Sequence, residues 1–244
     1  MKLNIERYGQ GEKIILIHGS GGSMWVWHTL TDYLKSSMEV ILVDLPGHGQ
    51  SPGEGYESVD KYTESIYSAI KEHNLQNCYI AGHSLGGAIA MSLAHSHPEI
   101  IKGIILIGTG AKLRVLPQIL DGIINDNANT VNDIINIALS KNAPLSLKKE
   151  DYDETMKCKA EVIYKDFKAC DNFNIIDSLH LLNLPCLIMC GTNDLLTPMK
   201  YSEFLSKQIK GSIVIFINDA GHMAMLEKPE EMSIAISDFV KRSG

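Results

Sequence analysis

Six short apolar runs, each four or five residues long and closed by a turn signal, punctuate this chain: Ile14 to Ile17, Val40 to Val43, Cys78 to Ala81, Ile104 to Ile107, Cys186 to Cys190 and Ile213 to Ile217. They are continuous rather than alternating, the pattern of strands buried on both faces of a parallel sheet. Segments of helical period lie between several of them. Tyr62, Ile66 and Ile70 fall four apart, Ile89 and Leu93 repeat that spacing, and Met232, Ile236 and Phe239 fall four and three apart near the C-terminus. Strand therefore alternates with helix, and the expected class is α/β, a mostly parallel sheet flanked by helices. At 244 residues the chain suits a single core, with or without an insertion.

One region breaks the alternation. From Ala111 to Leu184 no strand-like run occurs, and apolar residues recur at helical spacing: Leu116, Leu120, Ile123, then Val131, Ile134, Ile135, Ala138, then Met156, Ala160, Ile163, Phe167. A stretch this long at one crossover predicts a helical cap (lid) over 111–184, inserted into a core made of 1–110 and 185–244. The alternative, further outer helices of the core, stays open. The Asn-rich patch Asn125 to Asn132 reads as a turn between helices, and Lys148-Lys149-Glu150-Asp151 as a solvated face.

Composition bounds the partners. A formal charge of -7 argues against nucleic acid and against an anionic membrane surface, and the three arginines, Arg7, Arg114 and Arg242, weaken the case for a polyanionic substrate. The five cysteines form no CxxC pair and read as reduced core residues. No apolar stretch approaches a membrane span and the N-terminus has no signal-like segment, so the expected compartment is cytoplasmic. His95 and His97 lie two apart at a helix end and point different ways, so neither a metal nor any other cofactor is expected.

Gly82-His83-Ser84-Leu85-Gly86 stands where the run ending at Ala81 gives way to the helical pattern Gly87 to His97. A sharp strand-to-helix turn exposes the Ser84 hydroxyl, and glycines two residues to either side let the turn close. A serine is a poor nucleophile near neutral pH, so it needs a base in reach and a third group to orient that base. In an open parallel sheet such groups sit beyond the carboxyl ends of the strands. Asp194 follows the run ending at Cys190, and His222 follows the one ending at Ile217. Asn-Asp pairs also favour turns, so Asp194 has a second reading as a turn residue. Asp219 is close enough to His222 to compete, and its expected part is to shape the loop. His18 and His48 are expected to bond backbone in their glycine-rich turns.

The order Ser, Asp, His resembles that of the α/β-hydrolase superfamily. Four stretches carry the resemblance: His18-Gly19-Ser20-Gly21-Gly22, Asp44-Leu45-Pro46-Gly47-His48-Gly49-Gln50-Ser51, the Ser84 elbow, and Gly191 to Pro198 followed by Gly221-His222. Each is weak alone, and together in this order they are strong. The resemblance implies a carboxylic ester hydrolase working through an acyl-serine intermediate, with Ser84 the nucleophile, His222 the base and Asp194 its orienter. It also implies an oxyanion hole from the backbone N–H groups of Ser20 and Leu85. Relatives that open epoxides or remove halides carry an aspartate at the elbow, which this chain lacks. The lyase of menaquinone synthesis carries an arginine after the glycine pair where this chain has Ala88.

Met24, Trp25, Leu196 and Met223 are apolar and lie in or beside these loops, so they are candidate pocket residues. The expected partner is a small-molecule ester and the expected assembly a monomer or homodimer. Lactonase or carbon-carbon bond hydrolase activity on the same triad is an alternative, and a non-catalytic small-molecule receptor a third reading.

Overall fold

The structure is a computed structural model that describes residues 2–243. Among them seven strands form one sheet: β1 (Ile5–Tyr8), β2 (Glu12–Ile17), β3 (Met38–Val43), β4 (Cys78–His83), β5 (Ile101–Ile107), β6 (Cys186–Gly191) and β7 (Ile213–Ile217). Their order across the sheet is β1-β3-β2-β4-β5-β6-β7. β1 runs antiparallel to β3, pairing Ile5 with Val43, and every other neighbour is parallel. The six apolar runs lie in β2 to β7.

β1 has no counterpart among those runs, and the reason is its place at the edge. It pairs on one side only and its residues are half-buried or exposed, so Ile5-Glu6-Arg7-Tyr8 never needed a continuous apolar sequence. β7 is the other edge. Its Ile213 is exposed and its next three residues half-buried, so two-sided burial holds for the inner strands and fails here.

Successive residues of the inner strands feed opposite faces, and both faces are covered. Ile14 and Leu16 pack with Trp27 and Leu30, from the turn before α1 (His28–Leu34) and α1 itself, and with Ile236 and Phe239 of α10 (Pro229–Ser243). Ile15 and Ile17 face the other way, onto Ile66 of α2 (Val59–Glu72) and Ile89 and Leu93 of α3 (Leu85–Ser96). Each fully buried branched side chain contributes about 1.5–3 kcal/mol, so the interleaved Ile and Leu positions supply much of the sheet's stability. α3 is buried from Leu85 through Met91 and again at Leu93 and Ala94; its first two turns are apolar on all sides because the sheet and neighbouring helices enclose them, and its polar residues Ser92, His95 and Ser96 lie in the last turns.

Between β5 and β6 the chain forms α4 (Pro117–Asn125), α5 (Asn127–Ala138), α6 (Leu145–Thr155) and α7 (Ala160–Asn172), then a 3₁₀ turn at Ile176–Leu181. Among the described residues of this stretch the one strand-like pairing is an isolated bridge between Lys112 and Asn174. Three expectations need correction. The Asn-rich patch is mostly the first half of α5, not a turn: Asp126 alone separates the two helices, and Val131, Ile135 and Ala138 bury the helix face despite the poor propensity of Asn. Met156 caps α6 just past its end at Thr155 while Ala160 begins α7, so the periodic series crosses a break between two helices. Asp151 is buried rather than solvated. The remaining helices are α8 (Met199–Gln208) and α9 (Ala224–Glu227). No described helix is long and apolar enough to cross a membrane.

Candidate active site

Ser84 sits between β4 and α3 with φ 52° and ψ -113°, a left-handed conformation that a side chain resists. Neighbours hold it there: its N–H donates to Ile107 O at 3.0 Å and its carbonyl accepts from Thr109 Oγ1 at 2.8 Å. The flanking glycines are required by closeness. A Cβ on Gly82 would stand 2.0 Å from Gly86 O, and one on Gly86 would stand 2.2 Å from Ile17 O. The sequence Gly-x-Ser-x-Gly thus lets strand, turn and helix collapse onto one another with the hydroxyl left at the surface of a cavity.

His222 and Asp194 come from loops after β7 and β6 and meet side by side. His222 Nδ1 lies 2.9 Å from Asp194 Oδ2, so the Nδ1–H tautomer donates to the carboxylate and Nε2 keeps its lone pair. Both residues are buried. Burial alone would raise the Asp194 pKa, but the His222 charge and hydrogen bonds from His222 and Thr197 outweigh it, and the carboxyl is held well below its usual range. Asp194 Oδ1 accepts from the backbone N–H groups of Leu196 and Thr197 at 2.9 and 2.8 Å, while Thr197 Oγ1 donates to Oδ2 at 2.8 Å. Asp194 is therefore both turn former and His222 partner. Gly108, at φ +50°, makes room: a Cβ there would come within 3.1 Å of His222 Nδ1 and 3.3 Å of Asp194 Oδ2.

His83 has a job that its sequence position did not reveal. Its Nε2–H donates to the His222 carbonyl at 3.1 Å, so the elbow itself anchors the loop bearing the second histidine. Burial and the His222 charge depress its pKa well below normal, which keeps it neutral. Asp219, at φ 58° and exposed, bonds through its N–H to Thr192 Oγ1 at 3.0 Å and shapes the loop.

Ser84, His222 and Ser20 share the wall of one cavity of about 760 Å³ of empty space, mouth included. Trp25, Leu196 and Met223 line it as well. Met24 does not. It begins a 3₁₀ turn, where neighbouring side chains point apart, and faces an adjoining cavity beside Asp44, whose Oδ1 accepts the Met24 N–H at 2.8 Å. Leu85 has a fully buried side chain, and its N–H is one of the donors that a helix start leaves without an intrahelical partner. The Ser20 loop runs past the elbow so closely that a Cβ on Gly19 would stand 3.2 Å from Ser84 Cβ. Much of the remaining wall comes from the inserted helices, including Val131, Ile135, Asp151 and Phe167.

A buried network fixes that loop. Asp166 of α7 accepts the Gly21 N–H and a His48 Nε2 proton, both at 2.8 Å, and the Tyr62 hydroxyl. His48 Nδ1 faces Pro46 O at 3.1 Å. Acceptors at both ring nitrogens favour the imidazolium form of His48. Burial opposes that charge, but the Asp166 carboxylate overrides it and holds the His48 pKa well above normal. His18, 4.9 Å away ring to ring, takes the opposite state: its Nε2 accepts from Leu45 N–H, and burial with the neighbouring His48 charge lowers it to about 4. His18 and His48 do bond backbone as expected, and the carboxylate partner of His48 could not be anticipated because it lies on an inserted helix.

A serine at a strained turn, a buried histidine-carboxylate pair and backbone donors around one largely apolar cavity are the parts of an acyl-transfer site. A family model described as alpha/beta hydrolase fold matches residues 13–229. The chain is 29% identical over 257 residues to a protein of Aeromonas hydrophila subsp. hydrophila named pimeloyl-[acyl-carrier protein] methyl ester esterase, covering 98% of this chain and 100% of that one. Among solved structures it is similar to a thermophilic esterase at 32% identity and TM-score 0.87, covering 99% of each chain. It also superposes on an esterase from Exiguobacterium antarcticum with TM-score 0.93 at 20% identity, over 98% of this chain and 95% of that one, a likeness of fold.

Proposed function

Because the chain belongs to the alpha/beta hydrolase fold family, we propose that it cleaves carboxylic esters through an acyl-serine intermediate. The observation that carries the proposal is the placement of Ser84 and His222 on one cavity wall with Asp194 bonded behind the histidine. Ser84 Oγ attacks the ester carbonyl as its proton passes to His222 Nε2. Asp194 holds the ring in the tautomer that leaves Nε2 free and stabilises the charge it gains. The N–H groups of Leu85 and Ser20 bind the oxyanion, the leaving alcohol takes the proton from His222, and a water activated by the same nitrogen releases the acid.

In this reading α4 to α7 form a cap that supplies the acyl-binding wall. Val131, Ile135 and Phe167 from those helices, with Trp25, Leu196 and Met223 from the core, suit the hydrocarbon part of an acyl or alcohol group of modest size. The likeness to full-length methyl ester esterases supports ester chemistry at this serine.

Steady-state hydrolysis of p-nitrophenyl esters of increasing acyl length is the test, with Ser84→Ala as control. Wild type is expected to turn them over with a preference among short and medium acyl chains. Ser84→Ala is expected to lose about a millionfold in kcat, as removal of the nucleophile does in other serine hydrolases. Equal, slow hydrolysis by both proteins on every ester would sink the proposal.

A further inference from the structure

The cavity wall is largely apolar, and among its polar residues is a carboxylate that neither the triad nor the oxyanion hole uses. Asp151 lies on α6, one turn from Glu154 and Thr155, and all three face the cavity. Asp151 is only 4% exposed. Among the described residues no N–H, O–H or ammonium group bonds to its carboxyl; Glu154, by contrast, is paired with Lys157 at 2.6 Å. The one charge it feels with consequence is that of His222, which lines the same cavity. Burial lifts its pKa to about 7 and that charge tempers the rise.

An unpartnered carboxyl costs several kcal/mol to hold in such a place, whether it ionises or stays protonated. Val131, Ile135 and Phe167, which share the cavity wall with it, carry no polar hydrogen. The rest of the lys-rich segment that carries it, Lys148 to Glu150, points elsewhere and is exposed or half-buried. Asp151 faces the cavity, so a donor that enters there can bond its carboxyl.

We propose that Asp151 is a specificity-determining residue that binds an O–H or N–H donor carried by the substrate, so that the preferred ester bears a hydroxyl or ammonium group in its acyl or its alcohol part. Both protonation states of the carboxyl accept such a bond, and the ionised state adds attraction for ammonium. The same group disfavours esters that bring a free carboxylate into the cavity, because a second negative charge there meets Asp151 without a cation between them. A site built around a buried polar group discriminates strongly against the analogue that lacks the matching donor, since that group is then left dry and unpaired.

The inference rests on the ester-hydrolase reading for the word substrate, but its test does not. Binding is measured by calorimetry on Ser84→Ala, which keeps the cavity and leaves an ester intact. The probes are methyl hexanoate with its 6-hydroxy and 6-amino forms, which vary the acyl part, and hexyl acetate with its 6-hydroxyhexyl and 6-aminohexyl forms, which vary the alcohol part. In at least one series the donor-bearing ester is expected to bind about tenfold or more tightly than the alkyl ester, the size of one hydrogen bond to a buried acid. Adding Asp151→Leu should invert that order. Adding Asp151→Asn, which keeps the shape, should keep hydroxyl binding and lose the ammonium advantage. Tighter binding of the alkyl ester in both series overturns the proposal, as does a donor preference that both Asp151 variants retain unchanged. Failure of the ester-hydrolase reading is seen separately, as wild type that turns over no p-nitrophenyl ester.

Discussion

Ser84 occupies a backbone conformation that only glycine adopts without strain, and its neighbours hold it there through Ile107 and Thr109. Ser84→Ala and Ser84→Gly both remove the hydroxyl, but only glycine relieves the clash of a Cβ at φ 52°. Urea unfolding of the two variants is expected to show Ser84→Gly the more stable by about 1 kcal/mol. An alanine variant as stable or more so would mean that the turn stores no strain. At this scale the sequence was most legible where chemistry dictates residue type: Ser84, Asp194 and His222 stand out because each follows a strand-like run. Thr197, His83 and Asp151 did not stand out. Their roles depend on which loops and helices meet across the cavity, and an Asp amid Lys and Glu on a helix carries no local mark of burial.

At the scale of elements, α7 does more than add apolar wall. Through Asp166 it binds α2 by Tyr62, the loop after β3 by His48 and the loop after β2 by Gly21, whose neighbour Ser20 is assigned to the oxyanion. Asp166→Asn leaves the His48 charge buried without its counterion, so destabilisation of about 3–5 kcal/mol is expected in urea, with a fall in kcat as the Ser20 loop loosens. Wild-type stability within 1 kcal/mol and an unchanged kcat would refute that role. The same pair sets a pH signature. His48 is raised in the folded protein, so its contribution is complete below the unfolded value near 6.5 and is lost as pH climbs through the raised folded value. Urea midpoints from pH 6.5 to 9 should therefore fall more steeply for wild type than for His48→Gln; parallel slopes would remove the imidazolium. Helical period in the sequence foretold that this region was helical, but not where α6 ended or α7 began, because apolar spacing continues across the break at Met156 to Ala160.

For the whole molecule, the inserted helices and the sheet share one interior. Ile123, Val131, Ile135 and Ile163 belong to the same buried cluster as Ile14, Leu16 and Met189. Neither part closes its own core, so far-UV and near-UV circular dichroism should report one coincident unfolding transition in urea. Two separated transitions would instead mark the insertion as an independent unit. The sheet was readable because buried parallel strands must be apolar at every position, whereas β1 escaped notice for the converse reason. Strand order was not readable, since nothing within an apolar run says which run lies beside it. The two tryptophans illustrate how three-dimensional placement separates near neighbours in sequence: Trp27 is locked in the core while Trp25 looks into the cavity. A change in indole emission when a ligand enters therefore reports on Trp25, and the protein carries its own optical gauge of occupancy without an attached dye.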